Sequence, residues 1–207
     1  MTLSYQLHSR LQNKRHFVFD LDGTLTQAVH DFVWIREQLN IPLEDDILGH
    51  IEALPEPLKS EKTAHLDELE RHFAQQAKAE LFAVEAIRQL HQHGATLGIL
   101  TRNTKPIAHE TLDALGLLSC FDPEAILGRD EATPKPDADG LHKIAKQWGI
   151  HSDALVMVGD YRFDLEAGRN ANAITVHVLS DAELNWPELT DLRVAHLGEL
   201  FVPVLSL

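Results

Sequence analysis

Five short apolar runs punctuate this chain, and none carries helical periodicity: Phe17 to Phe19, Ala95 to Leu100, Ala125 to Leu127, Leu155 to Val158, and Ala173 to Val178. Runs this short that are apolar throughout, rather than at every second position, belong to strands buried on both faces. Between the runs, apolar residues recur at helical spacing. Val84, Ile87 and Leu90 precede Gly94. Ile107, Leu112 and Leu115 follow a capping Thr104 and precede Gly116, while Leu141, Ile144 and Trp148 precede Gly149. A glycine just past such a stripe marks a helix stop. Strands alternating with helices predict an α/β fold, a doubly wound parallel sheet with helices on both faces.

One interval breaks the rhythm. About 75 residues separate the first run from the second, far more than a single crossover needs. That stretch has helical stripes of its own, Phe32, Ile35 and Leu39 in one and Leu66, Leu69 and Phe73 in another, with Pro55 and Pro57 between them. Residues 26–79 are therefore expected to form a small inserted α-helical cap, and residues 1–25 and 80–207 the core.

Four polar signals follow the runs. The first run ends in Asp20-Leu21-Asp22-Gly23-Thr24, and the second in Thr101-Arg102-Asn103. Pro134-Lys135-Pro136-Asp137 comes after the third. The fourth ends in Gly159-Asp160, with Tyr161-Arg162-Phe163-Asp164 beyond it. In an open parallel sheet the carboxyl ends of the strands share one edge, where ligands bind, so these signals converge on one crevice. Asp20, Asp22, Asp160 and Asp164 would bring four carboxylates together there, which requires cations. A hard divalent ion such as Mg²⁺ meets that need, and Lys135 adds a fixed positive charge able to hold a phosphoryl group. Singly, each signal has a plainer reading as a helix cap, a turn or a solvated loop residue.

The net charge sharpens this requirement. At −14, the chain opposes nucleic acid and repels a phosphorylated substrate, so a phosphate site must rest on local cations. The N-terminus shows no apolar signal core, and no run approaches the length of a membrane span. The single cysteine, Cys120, fits a reducing cytoplasm and reads as a small buried hydrophobe. A cytoplasmic protein without nucleic-acid or membrane partners is expected.

Taken together, these motifs resemble the haloacid dehalogenase superfamily of hydrolases. Asp20 to Thr24 matches its first motif, Thr101 the second, Lys135 the third and Gly159 to Asp164 the fourth. The insertion is similar to the helical cap of the phosphoglycolate-phosphatase-like branch. The resemblance implies a Rossmann-like sheet with the Asp20 strand central, between those ending at Thr101 and Asp160. It also implies a phosphoric monoester hydrolase acting on a small-molecule phosphate ester. Asp20 would be the nucleophile forming an aspartyl-phosphate, and Asp22 the acid and base. Mg²⁺ would be held by Asp20, the Asp22 carbonyl and Asp160, with Asp164 orienting its waters or Lys135. Thr101 and Lys135 would bind phosphoryl oxygens. Arg102 stands where the family has a small or amide residue, and is expected to meet a phosphate or second anionic group of the substrate or else to face solvent.

A sugar phosphomutase would share every motif. A phospho-accepting signalling domain would have no use for Asp22 or a cap, and a dinucleotide-binding module would need glycines where Asp20 to Thr24 stands. His91 and His93 lie two apart at a helix end, a spacing that points them to different sides. Trp34 and Arg36 are candidates for substrate contact or packing. The tail from Leu200 to Leu207 is expected to cover a core edge or to form a weak dimer contact, the chain being otherwise a monomer.

Overall fold

The computed structural model describes residues 2–27, 32–179 and 184–206. Its strands are β1 (Thr2–Leu7), β2 (His16–Phe19), β3 (Thr96–Leu100), β4 (Ile126–Leu127), β5 (Leu155–Gly159), β6 (Ile174–Val178), β7 (Leu192–Val194) and β8 (Phe201–Ser206). Its helices are α1 (Phe32–Leu39), α2 (Ile47–Glu52), α3 (Leu58–Ala74), α4 (Ala83–Gln92), α5 (Lys105–Ala114), α6 (Asp139–Gln147) and α7 (Arg162–Asn170). Six strands form one parallel sheet in the order β4-β3-β2-β5-β6-β7. The strand carrying Asp20 at its end is flanked by those leading to Thr101 and Asp160, with Phe19 level with Ile99 on one side and Val158 on the other.

The apolar runs lack alternation because both faces of the sheet are covered. Phe17 and Phe19 of β2 point into a core with Ile87 and Leu90 of α4 and Leu112 of α5. Val18, between them, points the other way, toward Leu141 and Ile144 of α6. Val156 and Val158 of β5 join the first core, and Leu155 and Met157 the second. This is the two-residue period of a strand, hidden from the sequence because both destinations are dry. Gly94, Gly116 and Gly149 close α4, α5 and α6 at φ of 76°, 64° and 66°.

Three features lie outside the expected elements. The three-residue β7 extends the sheet, and β1 and β8 pair antiparallel as a separate two-stranded sheet. Leu200 and Phe201 of the tail are buried in the first core. Leu207 lies outside the described residues. The third feature is α7, which starts inside the fourth polar signal.

Between β2 and α4, helices α1, α2 and α3 pack on one another through Ile35, Leu39, Ile51 and Leu66. The chain on either side of this insertion is tied together. Gln27 donates to the Lys78 carbonyl at 2.8 Å, Glu80 N–H donates to the Leu25 carbonyl at 2.8 Å, and Thr26 and Ala79 form an antiparallel bridge. Trp34 packs edge-on against Phe73. His91 and His93 are exposed, and Cys120 is half-buried. Among the described residues no helix is long and apolar enough to cross a membrane.

Candidate active site

Asp20 leaves β2 at the carboxyl edge, its N–H donating to the Val158 carbonyl at 2.9 Å. Three residues on, the chain turns back through Gly23, at φ 83°. A side chain could not stand there, because a Cβ on Gly23 would lie 2.5 Å from an Asp160 carboxylate oxygen. The turn thus lays the Asp20 loop against the β5 loop, and Thr24 Oγ1 donates to Asp160 Oδ1 at 3.0 Å.

Lys135 reaches the same point from the loop before α6. Its Nζ donates to Asp20 Oδ1 at 2.5 Å and to Asp164 Oδ1 at 2.6 Å. Asp164 is fixed in turn by the N-terminus of α7, its Oδ2 accepting from the Tyr161 N–H at 3.0 Å. Carboxylate oxygens of Asp20, Asp160 and Asp164 lie within 4.8 Å of one another.

The electrostatics follow from burial. Loss of water pushes Asp20 upward, against the pull of Lys135, and pushes Asp160 well upward with help from Asp20 and Asp164. Asp164 is raised to about 6 by burial and the Asp20 charge. Burial also opposes the charge of Lys135, but Asp164 and Asp20 outweigh it and hold the ammonium above the usual lysine value. One ammonium therefore serves three close carboxylates, and an all-oxygen donor set of this charge suits a hard divalent cation.

Asp22 is held separately. Its Oδ2 accepts from Asn103 Nδ2 at 2.6 Å and its Oδ1 from Thr26 Oγ1 at 3.4 Å. Burial lifts it to about 6. Thr101, at the end of β3, is buried, and its Oγ1 accepts from the Asn103 N–H at 3.1 Å. Asp20, Asp22, Thr101, Lys135, Asp160 and Asp164 all line one cavity of about 590 Å³.

Arg102 also lines this cavity, bridging the core to the insertion. Its Nη2 donates to Asp46 Oδ1, ahead of α2, at 2.5 Å, and the guanidinium carbon lies 4.8 Å from the centre of the Phe163 ring. Arg36 lines the cavity as well and donates to the backbone carbonyls of Asp45 and Phe32.

Two groups escaped the sequence reading. Asn103 stood in the second signal without a role, although its place two residues past Thr101 was the available cue. The other is the link between Arg129 and α3. Arg129 Nη1 donates to Glu70 Oε2 at 2.7 Å and to the Arg102 carbonyl at 2.9 Å, and Nη2 pairs with Asp67. Burial raises Glu70 to about 7 in spite of this partner. Nothing local in the sequence joins residues so far apart.

At the carboxyl edge of the parallel sheet, one crevice thus brings together a buried carboxylate paired with an ammonium and a second carboxylate two residues on. The chain belongs to the haloacid dehalogenase-like hydrolase family, whose model matches residues 34–178. An uncharacterized hydrolase of Saccharomyces cerevisiae is 32% identical over 204 residues, covering 92% of each chain. A Listeria monocytogenes pyrophosphatase is 29% identical, covering 78% of this chain and 81% of its own. Among solved structures, a hydrolase from Pseudomonas syringae superposes with a TM-score of 0.74 at 25% identity, covering 90% of this chain and 96% of its own.

Proposed function

We propose that the protein is a Mg²⁺-dependent phosphatase that hydrolyses a small phosphate monoester through an aspartyl-phosphate. The observation that carries this reading is the pairing of Asp20 with Lys135 at 2.5 Å beside a separately held Asp22. The pyrophosphatase relative supports it, as does a Streptomyces hygroscopicus validoxylamine A 7'-phosphate phosphatase, 24% identical and covering 87% of this chain and 97% of its own.

In the first half-reaction an Asp20 carboxylate oxygen attacks phosphorus, the bond to the leaving oxygen breaks, and Asp22 gives that oxygen its proton. In the second, Asp22 takes a proton from water as the water oxygen attacks phosphorus. The bond to Asp20 then breaks and inorganic phosphate leaves. A group near 6 can serve in both directions close to neutral pH. Asn103 aims Asp22, and Thr101 and Lys135 meet phosphoryl oxygens. Asp20, Asp160 and the Asp22 carbonyl would hold Mg²⁺, with Asp164 positioning its waters and Lys135. The ion would neutralise charge on the phosphoryl oxygens. The half-buried single cysteine supports a cytoplasmic setting.

The test is a panel of phosphate monoesters offered to the purified protein with Mg²⁺ and after chelation. Mg²⁺-dependent phosphate release is the expected result, and release undiminished by exhaustive chelation would overturn the reading.

A further inference from the structure

The cavity over Asp20 and Asp22 extends well past the phosphoryl site. At about 590 Å³ it falls in the range that holds a drug-sized ligand, so the leaving group has room to be large. Its far wall comes from the insertion, the loop after β3 and the first turn of α7. Phe32, Ile35, Ile47 and Phe163 give that wall apolar surface.

The charges of the far wall are unbalanced toward the negative. Glu44, Asp45, Asp46 and Glu70 line it, and among the described residues its lining cations are Arg36 and Arg102. Asp46 is paired with Arg102, Glu70 with Arg129 behind the lining, and Asp45 with the His50 ring. Both lining cations are engaged as well. Arg102 is bonded to Asp46 and stacked on Phe163, and Arg36 donates to two backbone carbonyls at 3.1 and 3.0 Å. Lys135, at the near end, is held between Asp20 and Asp164. An anion meeting the remaining N–H donors of Arg102 would sit beside the Asp46 carboxylate.

We infer that the substrate is a phosphate monoester whose leaving group is of sugar size or larger, bears hydroxyl or amine donors, and carries no second anion. The inference rests on the phosphatase reading above. A carboxylate or second phosphate entering the far half would lose its water beside carboxylates, a like-charge contact that strongly disfavours it. Hydroxyl and ammonium groups donate to those same oxygens. Glu70 is the specificity residue best placed to receive them. It is 8% exposed, and Arg129 fixes its Oε2 from behind at 2.7 Å.

Three six-carbon esters isolate leaving-group charge: glucose 6-phosphate, glucosamine 6-phosphate and 6-phosphogluconate, with p-nitrophenyl phosphate as reference. Wild-type kcat/KM for the neutral and amine esters should exceed that for the carboxylate ester by about tenfold or more. Glu70→Gln keeps an oxygen for Arg129 and should narrow the amine-to-carboxylate ratio by about fivefold. Taking that ratio within each variant cancels any general damage. A carboxylate ester turned over as well as the others, or turnover of nitrophenyl phosphate alone, overturns the inference by itself. A ratio unchanged in Glu70→Gln removes Glu70 from it. No turnover of any of the four esters overturns the phosphatase reading, and the inference with it.

Discussion

The ammonium of Lys135 is shared between Asp20 and Asp164, 2.5 Å from an oxygen of the first and 2.6 Å from one of the second. Lys135 is 3% exposed, so this bond is made where water cannot replace it. It pulls the Asp20 carboxylate toward its charged form against the burial that raises it, and fixes where its second oxygen points. The proposed nucleophile is thus positioned before any substrate arrives.

Replacing Asp20 by Asn keeps the size and removes the attacking oxygen. Turnover should fall by about a thousandfold or more, while Lys135 retains Asp164 as its partner and the fold survives. Phosphate release measured beside the far-ultraviolet circular dichroism of the variant separates the two effects. Near-wild-type turnover would exclude Asp20 as nucleophile.

Asp22→Asn removes the proton donor while its hydrogen-bonding partners Asn103 and Thr26 remain. The loss should be greatest for alkyl esters, whose leaving oxygen needs a proton, and smaller for nitrophenyl phosphate. Paired kcat values for the two ester types decide it. Equal losses would argue against the acid role.

Asp22, Asp164 and Glu70 titrate at about 6, about 6 and about 7 in the fold, against roughly 4 when unfolded. Between these values the folded chain binds more protons than the unfolded one, so the metal-free protein should lose stability as pH rises from about 4 to 7. Glu70 alone contributes at most about 3 kcal/mol to that slope. Mg²⁺ favours the ionised carboxylates around Asp20 and should flatten the slope or reverse it. Melting temperatures across pH 5 to 8, with chelator and with Mg²⁺, test this. A chelated protein that grows more stable across the window would contradict it.

Arg129 is the buried pivot between the loop after β4 and helix α3, its side chain 7% exposed. Arg129→Met would leave Glu70 buried without a counter-charge, at a cost of about 3–5 kcal/mol. Adding Glu70→Gln should recover much of that loss. Urea unfolding of the single and double variants measures the coupling, and simple additivity would show that the pair does not act as a unit.

The sequence yielded what is local. Asp20, Asp22, Lys135 and Asp164 were readable because each follows an apolar run, and a parallel sheet gathers strand ends at one edge. The five runs were readable because both faces of the sheet are dry. β7 was not, since three residues carry no pattern, and β1 and β8 derive their form from pairing with each other across the whole chain. Helix α7 was masked because its first turn is the polar signal itself, with Asp164 serving as both cap and site residue. Long-range charge pairs such as Arg102 with Asp46 and Arg129 with Glu70 have no local signature. They decide how the insertion lies over the site, which is why substrate selection was the least legible part.

The tie between Gln27 and Lys78, with its neighbour between Leu25 and Glu80, makes the insertion a plug-in part. Its two ends meet side by side, so the chain enters and leaves the core at one closed junction. An exchange of the intervening helices would leave this chain junction a few residues from Asp22 in place, while the pairs Arg102–Asp46 and Arg129–Glu70 would have to be rebuilt for the new module to lie over the cavity.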